Sequence, residues 1–316
     1  MGTYVAGDAP DMDRLVAEAV RGVGAEIDSL RVPRLAGVVL GGGYGRGEGG
    51  CRLSDGERRL SNDLDFFAVT EDGASGADIA AVSAALAPVA ERWTGRLGID
   101  VDFAVRTPWR LRHDQERVMI QELLHGYFDV AGTKGAEMFR GIDLRPPSAF
   151  PWTESVRLLV NRGVGLMLAR EQGASGDFVA RNVNKCVLGA GDARLIARGG
   201  YLWKAAERAE AIGEPLYSAA VEWKFRPKRD AVCGWDEAQA EWLKAAEEVM
   251  AAGRRTGAMR RTAYQAARWI WRRRTLGNPA TLGYGAVVRI LLELEPTVRG
   301  RGALARSLRR DWEIFN

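Results

Sequence analysis

Cysteine and histidine are scarce in this 316-residue chain, and that scarcity excludes several kinds of chemistry. The three cysteines, Cys51, Cys186 and Cys233, are odd in number and far apart. They cannot form a disulfide framework or a C-x-x-C zinc site. With only His113 and His125, a histidine-rich metal centre is also excluded, which leaves carboxylates as the metal-binding class. No uncharged apolar run approaches the ~20 residues that a bilayer requires, so no membrane segment is expected. Residues 1–10 have neither a basic n-region nor an apolar stretch, so no secretory signal is expected and a cytoplasmic location is. There is no internal repeat and no low-complexity segment.

What is present has the balance of a soluble globular protein, with 47% apolar and 27% charged residues. The length leaves room for two domains, each with its own core. The net charge of +4 is unevenly spread: residues 251–316 hold fourteen Arg, no Lys and four acids. That segment carries +10, leaving −6 for residues 1–250. A basic terminal segment beside an acidic body fits nucleic acid, a phosphorylated substrate or a solvated helix face.

Along the chain, Val16, Val20, Val23, Ile27 and Leu30 step at helical spacing after Asp11 and Asp13, either of which can cap the helix. An apolar strand, Ala36–Leu40, then delivers the glycine-rich stretch Gly41-Gly42-Gly43-Tyr44-Gly45-Arg46-Gly47-Glu48. Residues 49–60 are polar, carry a turn signal at Ser54-Asp55-Gly56, and lack a helical stripe. The strand Asp63–Val69 follows, with Asp63 and Asp65 on one face because side chains alternate across a strand. A helix with Ile79, Val82, Leu86, Val89 and Trp93 on one side contains Pro88, which is expected to kink or split it. In the strand Leu97–Val105, Asp100 and Asp102 point away from the core, toward the side of Asp63 and Asp65. A helix is expected over His113–Tyr127, with Met119, Leu123 and Tyr127 on one side.

The proline-rich stretch from Pro146 to Pro151 reads as a linker, dividing the chain into residues 1–145 and 152–316. Beyond it the pattern is helical: Thr153–Arg170, Val179–Ala197, Tyr201–Ile212, Asp236–Ala252, Thr262–Arg274 and Tyr284–Leu294. The expected fold class is α+β, a small mixed β-sheet with flanking helices followed by an all-α helical bundle.

Two common phosphate-binding readings of the glycine loop fail on context. Gly45-x-Gly47-x-x-Gly50 matches a dinucleotide fingerprint with Asp65 downstream, but residues 49–60 offer no helix. No G-x-x-x-x-G-K-[ST] sequence occurs. A loop that can cradle phosphate, followed by carboxylates on adjacent strands that can hold Mg²⁺, points instead to nucleotidyl transfer.

Residues 10–130 resemble the nucleotidyltransferase superfamily built on a DNA polymerase β-like palm. Leu40–Glu48 is similar to its glycine loop, Asn62-Asp63-Leu64-Asp65-Phe66 to its paired-carboxylate strand, and Val101-Asp102-Phe103 to its third-carboxylate strand. The resemblance implies Mg²⁺ and a nucleoside triphosphate, with ATP expected. Asp63, Asp65 and Asp102 would be the catalytic and metal-binding acids, and Gly42 and Gly43 would hold the triphosphate through their backbone N–H groups. Asp102 is favoured over Asp100 by its surrounding residues, although both share a face. The sequence departs from the family in two ways: Gly43 stands where serine is usual, and residues 51–60 lengthen the gap to Asp63. Arg46 and Glu48 either reach phosphate and metal-site ligands or pair with each other.

In the second half, Lys185 is similar in placement to a phosphate-reaching lysine in the helical domains of antibiotic nucleotidyltransferases. It shares a helix face with Asp192, seven residues on. Arg162, in a nearly all-apolar stretch, needs either an acidic partner or substrate. The segment Trp269–Arg274 joins aromatics to a basic run but sits in no recognisable RNA-binding module. The acceptor favoured by this layout is a small hydroxylated molecule, with nucleic acid not favoured and no membrane partner. Three alternatives stay open: an RNA-modifying or terminal nucleotidyltransferase, an antitoxin that transfers AMP to protein, and an inactive fold kept for binding.

Overall fold

The computed structural model describes residues 3–54, 56–171 and 176–257. Two of the expected helices, Thr262–Arg274 and Tyr284–Leu294, lie outside the described residues, as do Trp269–Arg274 and most of the arginine-rich segment. The architecture is α+β. The described residues divide into two compact units, residues 3–145 with 224–227, and residues 146–223 with 228–257.

In the first unit the elements run α1 (Pro10–Leu30), β1 (Leu35–Leu40), α2 (Gly42–Gly45), β2 (Cys51–Ser54), β3 (Glu57–Leu60), β4 (Leu64–Thr70) and α3 (Gly76–Leu97). They continue with β5 (Val101–Arg106), α4 (Pro108–His113), α5 (Val118–His125), β6 (Phe128–Val130) and α6 (Gly135–Met138). The main sheet has the order β5-β4-β1-β6, with β4 and β5 parallel and the other two pairings antiparallel. Alternation decides what each face packs against. Leu64, Phe66 and Ala68 of β4 join the core formed with α1 and α3, through residues such as Val16, Val23, Leu86 and Val89. Phe67 and Val69 face the other way, onto Leu111, Ile120, Leu123 and Phe139.

Several local expectations change. Neither Asp11 nor Asp13 caps α1; Ala9 is the N-cap and makes no side-chain cap. Asp13 instead accepts the backbone N–H groups of Thr3, Tyr4 and Val5, which fastens the preceding segment to the helix. α3 runs through Pro88 without ending. Its start is a capping box, Ser75 with Asp78, and it stops at Gly98, whose φ of 66° leads the chain out. The third strand therefore begins at Val101 rather than Leu97. The polar stretch after the glycine loop forms a hairpin, β2 paired with β3, and not a helix. The helix expected over His113–Tyr127 is the shorter α5 (Val118–His125), and a separate helix, α4, precedes it and ends at His113. Between them Asp114 is buried and held by Arg110 and Arg117, at 2.7 and 3.4 Å, and the chain turns around it. Met119 is consequently exposed, and Ile120 and Leu123 take the core positions.

In the second unit a 3₁₀ turn (Pro147–Ala149) precedes α7 (Trp152–Glu171), α8 (Asp177–Ala197), α9 (Ala205–Ile212), α10 (Pro215–Phe225) and α11 (Trp235–Arg255). Helix α10 was not expected, because its apolar residues do not gather into one stripe. Its core includes Leu159 and Leu166 of α7, Cys186 and Ala190 of α8, and Trp242 and Val249 of α11. Three indole N–H groups are satisfied by helix carbonyls: Trp152 by Val249 (2.7 Å), Trp235 by Leu166 (2.8 Å) and Trp242 by Leu159 (2.8 Å). Arg162 is half-buried, with its aliphatic stem packed where Gly189 leaves space on α8. No described helix is long and apolar enough to cross a membrane.

Candidate active site

Parallel pairing of β4 with β5 brings the acids together. In its register Asp65 is the direct partner of Asp102, so their backbones lie roughly 4.8 Å apart with both side chains on one face. One residue earlier, the Leu64 N–H donates to the Asp100 carbonyl (2.9 Å), holding Asp63 and Asp100 level with the ladder. Asp63 and Asp65 are half-buried, and Asp100 and Asp102 are exposed. The Asp102 carboxyl is pushed above the usual carboxylate range, first by desolvation and then by the charges of Asp63 and Asp100. Asp102, and not Asp100, thus stands beside Asp65. The register places Asp65 and Asp102 on one face, and Asp63 lies just before the first paired residue of β4.

The glycine loop is bolted to the same strand. The Gly41 N–H donates to the Asp65 carbonyl (2.8 Å), and α2 turns immediately after it. Gly42 has a φ of 63°, and a Cβ there would overlap Asp65 Oδ2. The main chain therefore approaches this carboxylate as only glycine permits. The Gly43 carbonyl accepts the Glu48 N–H (2.8 Å), which closes the loop. In a helical first turn the N–H groups of Gly42 and Gly43 have no intrahelical acceptor. Tyr44 is fully buried, burial pushes its phenol up, and its hydroxyl donates to the Gly50 carbonyl (2.9 Å). Gly50 in turn donates its N–H to the Asn62 side chain, beside Asp63. Bonds thus run from the loop to the Asp65 backbone on one side and to Asn62, the neighbour of Asp63, on the other.

Arg46 lies between two carboxylates, with Nε 3.7 Å from Glu48 and Nη1 3.3 Å from Glu122. Glu48, only 4% exposed, also takes Lys224 Nζ at 3.1 Å. These ion pairs stiffen the far side of the loop. Sequence reading missed Glu122, Asn62 and Lys224 as parts of this framework. Lys224 is 176 residues from Glu48 along the chain, so no local pattern could reveal it.

Lys185 belongs to the second unit, half-buried on α8. Asp192, on the same helix, has a structural partner set: Arg208 Nε at 2.9 Å and the Tyr217 hydroxyl at 2.5 Å.

Among the described residues, no three His, Cys, Asp or Glu side chains converge as a ready-made metal cage. The donor set of Asp65 and Asp102, with Asp63 beside them, still suits a hard cation. Mg²⁺ takes one or two protein carboxylates and completes its octahedron with water and substrate phosphate oxygens. No protein-family model matches the chain, and no curated protein is significantly similar to it.

Proposed function

We propose that this protein is a Mg²⁺-dependent nucleotidyltransferase that moves a nucleoside monophosphate, AMP from ATP, to a hydroxyl of a small molecule and releases pyrophosphate. The observation that carries this reading is the pairing of Asp65 with Asp102 in adjacent parallel strands, with the Asp65 carboxylate seated against Gly42 of the loop. On this reading the first unit is a palm that carries the nucleotide site, and the second unit is a helical bundle.

The residues divide the work by position. Gly42 and Gly43 lie where main-chain N–H groups can meet phosphate oxygens. Asp63, Asp65 and Asp102 would hold Mg²⁺, which when bound offsets triphosphate charge and stabilises the attacking and leaving oxygens. Asp102 either completes that metal shell or, left off the metal, accepts the acceptor's hydroxyl proton as the oxygen attacks the α-phosphorus in line. Arg46 and Glu48 keep the loop rigid.

The test uses ATP labelled at the α-phosphate with separated small-molecule and macromolecular fractions of a cell extract. Transfer of label to a small molecule with stoichiometric pyrophosphate supports the reading. Label that appears only on protein or RNA reassigns the acceptor. Absence of transfer to every fraction, with full activity of a control transferase, refutes it.

A further inference from the structure

Residues 106–117 take no part in the proposed transfer, yet they are unusual in charge and exposure. They contain Arg106, Arg110, Arg112, Arg117 and His113 against Asp114 and Glu116. Helix α4 turns Leu111 fully inward and Trp109 outward. The Trp109 indole stacks on His113, with ring centroids 5.0 Å apart and planes inclined by 27°. Although the imidazole covers one face, Trp109 is still 60% exposed, so its opposite face is open to water. Nothing in the core of this unit requires a tryptophan there.

The surrounding charge is positive. Asp114 is shared by Arg110 (2.7 Å), Arg117 (3.4 Å) and His113 (3.1 Å). Arg106 is half-buried, and its Nη1 donates to the Val105 carbonyl (3.0 Å); burial first and the like charge of Arg110 second weigh against its charge. Arg112 is balanced by Asp72 and Glu116 by Arg145, which removes both from the count. An aromatic platform open on one side, on a segment with an excess of arginine, has the chemistry that recognises a stacked base and its phosphates. The platform has no walls, so one stacked base would be held weakly. Successive phosphates, which a polymer supplies, are what a surface of this kind can sum.

We propose that α4 is a docking surface for single-stranded nucleic acid, with one base stacked on the open face of Trp109 and flanking phosphates on Arg106, Arg110 and Arg117. The surface is distinct from the acids: Arg106 and Asp102 are four residues apart along β5, roughly 13 Å. The proposal needs no turnover and does not depend on the transferase reading.

The experiment is fluorescence anisotropy of a labelled single-stranded oligonucleotide of about 12 residues, long enough to reach several phosphate contacts, with the full chain at low salt. The expected result is binding that Trp109→Ala weakens about tenfold and Trp109→Phe largely retains. Arg110→Gln should weaken it and reduce the salt slope by about one. Both sites are exposed, and unchanged thermal midpoints will confirm that the variants fold. Absence of binding at low salt overturns the proposal. So does binding that both Trp109→Ala and Arg110→Gln leave intact, since it then belongs to other arginines. Displacement by a mononucleotide at concentrations matching the oligonucleotide's own affinity would assign the platform to free nucleotide and overturn the polymer.

Discussion

Replacing Gly42 by alanine should damage the proposed site directly, through the Asp65 carboxylate. The backbone there has a φ of 63°, which costs a residue with a Cβ about 1–2 kcal/mol. The new methyl would also overlap Asp65 Oδ2, so the carboxylate must swing away from the loop. For a unit of this size each kcal/mol lowers the thermal midpoint by about 2–4 °C, giving a fall of roughly 2–8 °C. Function should suffer more than stability, because a displacement of about 1 Å in a reacting group can cost about 10²-fold. Gly43 supplies the control. A Cβ there would meet the Glu48 carbonyl oxygen at 3.4 Å, an ordinary contact, so Gly43→Ser should fold within about 0.5 kcal/mol of the parent. Differential scanning fluorimetry with and without ATP and Mg²⁺ reads both effects. If Gly42→Ala matches the parent in midpoint and in metal-dependent nucleotide stabilisation, the close approach of loop and acid is not what organises this site.

Asp102→Asn should reduce transfer by about 10²–10³-fold, the usual loss when a group that stabilises developing charge is removed, whereas Asp100→Asn should retain most activity; equal losses would refute the register argument. Asp102 must be ionised to bind metal, and its carboxyl sits above the usual range. Mg²⁺-dependent nucleotide affinity should therefore begin to fall at a pH above the ordinary value near 4, and Asp100→Asn, which removes one of the charges that raise Asp102, should move that fall to lower pH. In the helical unit, hydrogen bonding to Arg194 and then Lys244 holds the Glu214 carboxyl down to about 2 from 4.5. A lowered folded-state value stabilises above about 4.5 and is lost as pH falls toward 2. Glu214→Gln should cost about 1–2 kcal/mol at neutral pH, since the side chain is still a third exposed and screened, and should flatten the acid limb of a denaturation series. Trp242→Ala, which empties a fully buried site and leaves the Leu159 carbonyl without its donor, should cost about 3–5 kcal/mol by chemical denaturation.

The parts of the site legible in sequence are those set by short-range periodicity. Alternation across a strand was enough to align Asp63 with Asp65 and Asp100 with Asp102. The residues around Asp102 favoured it over Asp100, but its direct pairing with Asp65 is a long-range register that no local pattern encodes. The glycine loop was visible as composition, but its attachment through Tyr44, Gly50 and Asn62 depends on which atoms the turn brings together. The break between α4 and α5 was hidden because helical spacing continues past Asp114. Burial of that one carboxylate between Arg110 and Arg117 overrides the spacing. The same error concealed the Trp109 platform, whose first turn fell outside the expected helix. For Arg46 the sequence offered phosphate or pairing with Glu48; the pair is present, and Glu122, distant in sequence, adds a second carboxylate.

The central claim, that the loop and the paired acids form one nucleotide site, is tested most directly by calorimetric titration of ATP into the full chain with and without Mg²⁺. The account predicts binding that requires Mg²⁺ and is lost in the isosteric variant Asp65→Asn, with the fold unchanged. Metal-independent binding, binding that Asp65→Asn leaves intact, or no binding of any nucleoside triphosphate with Mg²⁺ present would contradict it.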